Sequence, residues 1–315
     1  MDYRLPFPRV VRIEPSSKCN LKCSHCPTGI IDMERGVMKD EVFSSVLSTI
    51  KANQEFIKVV VLYHGGEPFM SKRLFHMVRE LKTCGTISVK TVSNGMILTE
   101  LLIAGLVDSG MDIIEFSLDG ISPEQNNFVR RGCNYEKVVE NIKKLILYKK
   151  RASAIKPQIF ISTTQFVDRY LPKETMEARV PAFLLEEFSG EYEVAGFKPT
   201  LAMRWPHVDI IENTYDVYID PNDTEVRNYC DHVYSTVTVR SNGDVVPCCY
   251  DLTSEYVMGN VLKSDLASIW NNEKSLYIRK SIDQKKFISL CNNCNVVKPN
   301  AYLLLKPDVL KKFSN

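Results

Sequence analysis

The chain has 315 residues, 40 Lys+Arg against 38 Asp+Glu for a formal charge of +2, 44% hydrophobic and 25% charged residues. These are the proportions of a folded chain with a sizeable core, and the near-neutral balance argues against a protein that holds nucleic acid chiefly by charge. The longest apolar stretch, Met96 to Val107, is broken by Thr99 and Glu100, too short for a bilayer, and the charged N-terminus (Asp2, Arg4, Arg9, Arg12, Glu14) lacks the apolar core of a secretory signal, so a cytoplasmic protein with no membrane partner is expected.

In chain order, apolar β-branched runs predict strands at Val10–Ile13, Ile57–Leu62, Ile87–Val92, Ile113–Leu118, Ile159–Thr163 and Glu193–Phe197. Helix-period segments lie between them at Lys39–Lys51, Lys72–Lys82, Thr99–Asp108, Tyr135–Lys149 and Pro181–Glu187. Thr99 is a natural N-cap for the third. Strand, helix and strand at this spacing predict βαβ units and a parallel sheet. Six units make a partial (β/α)6 TIM-like barrel, with its active site at the C-terminal ends of the strands. Past Trp205 the rhythm changes. Thr236–Arg240, Ser241-Asn242-Gly243 and Asp244–Val246 read as a β-hairpin with a tight turn, and Ser264–Asn271 and Glu273–Ile282 as helices. The expected division is a core over 1–205 and a small cysteine-rich domain over 206–315.

Eight of the ten cysteines are clustered, and clustered thiols in a cytosolic chain point to metal. Cys84 and Cys133 stand alone and read as small packing residues. Cys19, Cys23 and Cys26 share one short loop after the first strand. Three ligands on a four-iron cluster leave one iron open, whereas a structural zinc site takes four; a zinc knuckle completed by His25 or a distant cysteine is the alternative. Cys230, Cys248, Cys249, Cys291 and Cys294 gather in the last third, and on spacing alone a four-cysteine zinc site is the alternative there.

The order of motifs carries a resemblance. Cys19-x-x-x-Cys23-x-x-Cys26 after strand one is followed by Gly65-Gly66-Glu67-Pro68 after strand two. Ser93-Asn94-Gly95 follows strand three and Ser117-Leu118-Asp119-Gly120 strand four. The chain from about Arg9 to Thr164 thereby resembles the radical S-adenosylmethionine (SAM) superfamily. That resemblance implies a [4Fe–4S] cluster on Cys19, Cys23 and Cys26, whose open iron chelates SAM. It implies Gly65, Gly66, Glu67 and Pro68 at the methionine end, with Glu67 accepting the ammonium, and Ser93, Asn94 and Ser117 near the ribose. Arg130 or Arg131 would pair with the SAM carboxylate, and His25 would lie by the adenine. Asp119 reads equally as a turn residue before Gly120.

The hairpin into Cys248-Cys249, then Gly259-Asn260-Val261, Asp265 to Asn271 and Cys291-Asn-Asn-Cys294, resembles the C-terminal SPASM/twitch extension of that superfamily. It implies one auxiliary [4Fe–4S] cluster on Cys230, Cys248, Cys291 and Cys294. Cys249 packs, replaces Cys248 as ligand, or gives a hydrogen atom to a substrate radical, as a cysteine does in some radical SAM epimerases.

The pattern is similar to that of the 2-deoxy-scyllo-inosamine dehydrogenase type. It implies cleavage of SAM to a 5′-deoxyadenosyl radical and hydrogen abstraction from a sugar or cyclitol. The outcome would be alcohol oxidation or epimerisation, with a flavodoxin- or ferredoxin-type electron donor. A peptide-modifying maturase and a non-catalytic zinc-binding protein are the alternatives. The stretch from about Val167 to Asn222 departs from that pattern. Trp205 and Arg204 there read as a sugar-stacking ring and a phosphate ligand, or as interdomain packing. His207, Asp209, Glu212, Tyr215 and Asp216 are candidate general bases.

Overall fold

A computed structural model describes residues 2–85, 87–166, 177–206, 208 and 213–313. Strands β1 (Val10–Ile13), β2 (Val59–Val61), β3 (Ser88–Ser93), β4 (Ile113–Ser117), β5 (Gln158–Gln165) and β6 (Gly196–Leu201) run parallel and in sequence order. Between them lie α1 (Pro27–Ile30), α2 (Asp40–Ala52), α3 (Leu74–Lys82), α4 (Glu100–Asp108), α5 (Pro123–Val129), α6 (Tyr135–Arg151) and α7 (Ala182–Glu187). The sheet stays open, so this is the partial barrel expected. Parallel strands need crossovers, and the helices covering the outer face supply the main core through residues such as Val46, Ile50, Leu81, Leu106, Ile142 and Leu145.

Local chemistry sets the helix starts. Thr99 accepts from the Leu102 amide to cap α4, and Asn134 from the Lys137 amide to cap α6. Lys149, Lys150 and Arg151 close α6 against the negative end of its dipole. Ser122 caps α5, with Pro123 at its first position. The Ser-Pro pair that starts this seven-residue helix was legible, but its apolar content is too thin to predict it. The sixth strand begins and ends a few residues later than expected. It carries Pro199, which an edge strand tolerates.

The C-terminal chain adds β7 (Tyr215–Ile219), α8 (Asp231–Ser235), β8 (Thr236–Val239), β9 (Asp244–Val246), β10 (Gly259–Asn260), α9 (Leu266–Trp270), α10 (Glu273–Asp283) and β11 (Ala301–Leu305). The expected hairpin forms, and it does more. Strand β8 pairs parallel with β1, and β9 and β10 follow antiparallel, so one nine-stranded sheet runs β10-β9-β8-β1-β2-β3-β4-β5-β6. Trp270 is buried and donates its indole N–H to the Pro6 carbonyl at 2.8 Å, with the Arg279 guanidinium 4.1 Å from its ring. Strands β7 and β11 form a separate antiparallel ribbon, tied to the end of β6 by the Leu303 amide on the Ala202 carbonyl. Among the described residues no helix is long and apolar enough to cross a membrane.

Candidate functional site

One cleft of about 490 Å³ opens at the C-terminal ends of the barrel strands, a volume in the range of small-molecule sites. Its walls include Cys19, Cys23, His25, Cys26, Gly65, Gly66, Glu67, Ser93, Asn94, Ser117, Asp119, Arg130 and Cys249. Four strand-end loops far apart in sequence thus meet on one space. Pro68 and Arg131 do not line it.

The cysteine loop is pinned from outside. The Lys22 amide donates to the Arg131 carbonyl and the Ser24 amide to that of Val129, both at 2.9 Å, and the Ser24 and Tyr215 hydroxyls lie 2.7 Å apart. Burial pushes the Cys23 thiol up to about 12 and raises that of Cys19. Thiolates there need positive charge beside them. An iron–sulfur core supplies it, so the donor set fits such a core.

The second loop is built on close approach. A Cβ at Gly66 would lie 2.2 Å from the Ser16 carbonyl oxygen, so only glycine lets the two backbones meet. The Glu67 amide donates to the Lys18 carbonyl at 2.8 Å. Its buried carboxylate accepts from the Ser93 hydroxyl, the Asn94 amide and the Phe69 amide. Burial raises its pKa. The carboxylate clamps loop two to loop three, which leaves it little capacity as an acceptor for an outside ammonium. The Asn94 side chain continues the chain of contacts, donating to Asn20 beside Cys19 at 2.8 Å.

Arg130 and Arg131 part company. Arg131 is exposed, whereas Arg130 is buried and pairs with Asp119 at 2.6 Å, leaving its Nε without a partner. The His25 Nε2 lies 3.4 Å from the same carboxylate oxygen, and its ring packs edge-on to Phe166 at 5.3 Å. Burial works against the Asp119 charge, but Arg130 and His25 outweigh it and hold the carboxyl well below its usual range. Asp119 is therefore the hub of this wall. Its other oxygen accepts from the Thr164 amide.

The other thiol set rings a second, smaller cavity. Cys230, Cys248, Cys291 and Cys294 line it together with His232, Val233, Ile278 and Val297. Burial pushes the Cys230 thiol up to about 11 and raises Cys248, Cys291 and Cys294 as well. This all-thiol, apolar setting fits an iron–sulfur core by the same argument. Among the described residues no three His, Cys, Asp or Glu side chains close tightly around a single point. Cys249 turns the other way, into the large cleft, with its sulfur 3.7 Å from His232 Nε2. The adjacent cysteines thus face different cavities. Trp205 lines the large cleft, donating its indole N–H to the His25 carbonyl at 2.9 Å and meeting Tyr250 edge-on at 5.3 Å.

Sequence reasoning missed Glu14, His64, Lys90, Glu115, Ser162, Lys198 and His232; the faint trace they leave is a polar residue inside a β-branched run or, for Glu14, directly after the first strand. Of the candidate bases, Tyr215 is buried against Phe166, with burial raising its hydroxyl, and Asp216 lies in the β7–β11 ribbon. His207, Asp209 and Glu212 lie outside the described residues.

An open α/β barrel with a three-cysteine loop at its strand ends, and a second thiol-lined cavity beside it, defines an iron–sulfur protein class. Residues 13–155 match the family model described as Radical SAM superfamily, and residues 230–295 that of the SPASM iron–sulfur cluster-binding domain. The chain belongs to the radical SAM superfamily and carries a SPASM domain. Its cofactors are accordingly a [4Fe–4S] cluster, SAM and auxiliary iron–sulfur. It is 27% identical, over 90% of its length and 86% of the relative's, to the tungsten-containing aldehyde ferredoxin oxidoreductase cofactor-modifying protein of Pyrococcus furiosus. Its fold is similar to that of BtrN in complex with AdoMet and 2-DOIA (TM-score 0.58, 18% identity, 94% of each chain). It is also similar to anSMEcpe with bound AdoMet and Cp18Cys peptide (TM-score 0.62, 17% identity, 96% and 94% of the chains).

Proposed function

We propose that this protein is a radical SAM oxidoreductase acting on a carbohydrate or aminocyclitol, by alcohol oxidation or epimerisation. The observation that carries the reading is that Cys19, Cys23 and Cys26 line the same cleft as Cys249, whose neighbour Cys248 lines the smaller thiol cavity. The clusters and SAM supply hydrogen-atom abstraction from an unactivated C–H bond and an acceptor for the electron left on the substrate.

The chain's own residues do the rest. Cys19, Cys23 and Cys26 hold the first cluster, and Cys230, Cys248, Cys291 and Cys294 one auxiliary [4Fe–4S] cluster. The backbone at Gly65 and Gly66 admits the methionine end of SAM, and Ser93, Asn94 and Ser117 border its ribose. Arg130, oriented by Asp119, presents its free Nε to the SAM carboxylate. His25 borders the adenine. Ser117, Ser162, Thr164 and Thr200 line the remaining wall. Those hydroxyls match a polyhydroxylated substrate. Trp205 and Tyr250 cover the cleft and exclude water. A flavodoxin- or ferredoxin-type protein feeds the electrons.

Cys249 separates the two outcomes. As hydrogen-atom donor it makes the enzyme an epimerase, and as a packing residue it leaves a dehydrogenase. The test is anaerobic turnover of SAM with a panel of cyclitols, sugars and short peptides in D2O. 5′-Deoxyadenosine with a ketone product supports oxidation. Deuterium at an inverted carbon, lost in Cys249→Ala, supports epimerisation. Reaction with peptides alone favours the maturase reading, and SAM left intact under reduction overturns all three.

A further inference from the structure

Twice the chain passes from one cavity to the other between adjacent residues. Cys248 lines the smaller thiol cavity and Cys249 the large cleft, and Trp205 lines the cleft while Pro206 lines the thiol cavity. Among the described residues Tyr250 alone lines both. Its ring meets Trp205 edge-on at 5.3 Å and His232 edge-on at 5.8 Å. Trp205 belongs to the cleft and His232 to the thiol cavity. One aromatic side chain is thus packed against a ring from each space.

The neighbours of that ring are tied down in turn. Trp205 is held by its hydrogen bond to the carbonyl of His25, the residue before Cys26. On the other flank the buried Asp251 carboxylate accepts from the Glu255 amide at 2.8 Å and the Tyr256 amide at 3.0 Å, and the Asp251 carbonyl meets His64 Nε2 at 3.1 Å. Beyond the thiols, His232 and Tyr250, the smaller cavity is lined by apolar side chains such as Val233, Ile278, Leu290 and Val297. The cleft is walled by hydroxyls and charges, among them Ser117, Glu115, Asp119 and Arg130. Tyr250 is therefore where an apolar thiol cavity meets a polar cleft. The shell around a metal site controls solvent access, and with it the redox potential.

We propose that Tyr250 is a positioning residue of the auxiliary cluster: its ring is the partition that keeps that cluster apart from the substrate and water of the cleft, and so sets the cluster's potential. This rests on the reading of Cys230, Cys248, Cys291 and Cys294 as the cluster's ligands. The reduced state of a thiolate-bound cluster carries more negative charge than the oxidised state. Water admitted through an opened partition favours the more charged form and raises the potential. The ring makes the partition, so its hydroxyl is dispensable.

The test is a redox titration of the anaerobically reconstituted protein followed by electron paramagnetic resonance, with the rate of iron extraction by bathophenanthroline disulfonate as second readout. Tyr250→Ala is expected to raise the ratio of reduced to oxidised auxiliary cluster about tenfold at a fixed potential, or about 59 mV for a one-electron couple. Extraction of that cluster's iron is expected to quicken about tenfold. The first cluster keeps its wild-type signal, and Tyr250→Phe matches wild type in both readouts. Tyr250→Leu, which loses less packing, carries the same expectation where Tyr250→Ala does not take up its iron. Wild-type potential and extraction rate in the shortened variant, or a Tyr250→Phe protein that behaves like Tyr250→Ala, overturns the proposal. Iron content separates the two readings. About eight irons with an unmoved potential sink this inference alone, whereas about four irons in wild type remove the auxiliary-cluster ligands and this inference with them.

Discussion

The Glu14 carboxylate accepts a hydrogen bond from the Ser241 amide at 3.0 Å, across 227 residues of chain. Its other oxygen accepts from Gly65 at the same distance, and Arg240 Nε lies 3.8 Å away. Glu14 is fully buried. Burial disfavours its charge, but His64, Arg240 and the two amides outweigh that and lower its pKa. One carboxylate therefore fixes the glycine loop to the hairpin of the SPASM segment. Next door, the His64 Nε2 meets the Asp251 carbonyl at 3.1 Å, a second tie between the same parts.

Glu14→Gln keeps the shape but leaves one amide facing an NH2 group. SAM affinity is expected to fall about tenfold or more, the scale of one charge-assisted hydrogen bond. Titration of the reconstituted protein with SAM checks this, with iron content as control. Unchanged affinity would sever the glycine loop from the hairpin as a functional unit.

His64 gives this junction a pH dependence. Burial lowers its pKa from the usual range to about 4, so the folded state holds it neutral. The unfolded chain binds a proton below about 6.5 and the folded one does not. Stability is then full above about 6.5 and falls as pH drops toward 4, by about 1.4 kcal/mol per pH unit at most. Thermal denaturation between pH 5.5 and 7.5 is expected to show this slope in wild type and a flatter one in His64→Gln. Equal slopes would place the acid sensitivity elsewhere.

The added methyl of Gly66→Ala meets the Ser16 backbone at 2.2 Å, with no flexible side chain to give way. It is expected to abolish SAM binding and cost about 1–3 kcal/mol, read as lost 5′-deoxyadenosine and a lowered Tm. A Gly66→Ala protein that cleaves SAM normally would show that the loops need not touch.

The adjacent cysteines are expected to separate cleanly. Cys248→Ala lowers bound iron by about four atoms, the content of one cubane cluster. Cys249→Ala leaves it unchanged. Iron and sulfide assays on both variants decide it, and the reverse result would make Cys249 the ligand.

How much of this was legible depended on what kind of signal each part leaves. Thiol spacing and glycine motifs are local, so Cys19, Cys23, Cys26, Gly65 and Gly66 stood out at once. Five of the six barrel strands also did, because buried parallel strands are written as β-branched runs. The choice between Arg130 and Arg131 was not legible, since a two-residue basic pair gives no phase until α5 fixes which one turns inward. The joining of β8 to β1 was equally hidden, because pairing across the whole chain leaves no local pattern. Lys90, Glu115 and Lys198 have no local motif around them. Only the register shows that they share one inner face.

The proposed pair of iron–sulfur clusters, one at the large cleft and one at the smaller thiol cavity, fixes the metal content of the chain. Its most direct test is iron and sulfide content after anaerobic reconstitution, in wild type and in the triple variant Cys19→Ala, Cys23→Ala, Cys26→Ala. Two [4Fe–4S] clusters predict about eight irons per chain, falling to about four in the triple variant. About four irons falling to none, with zinc held by the C-terminal thiols, would contradict it and remove the electron acceptor on which oxidation depends.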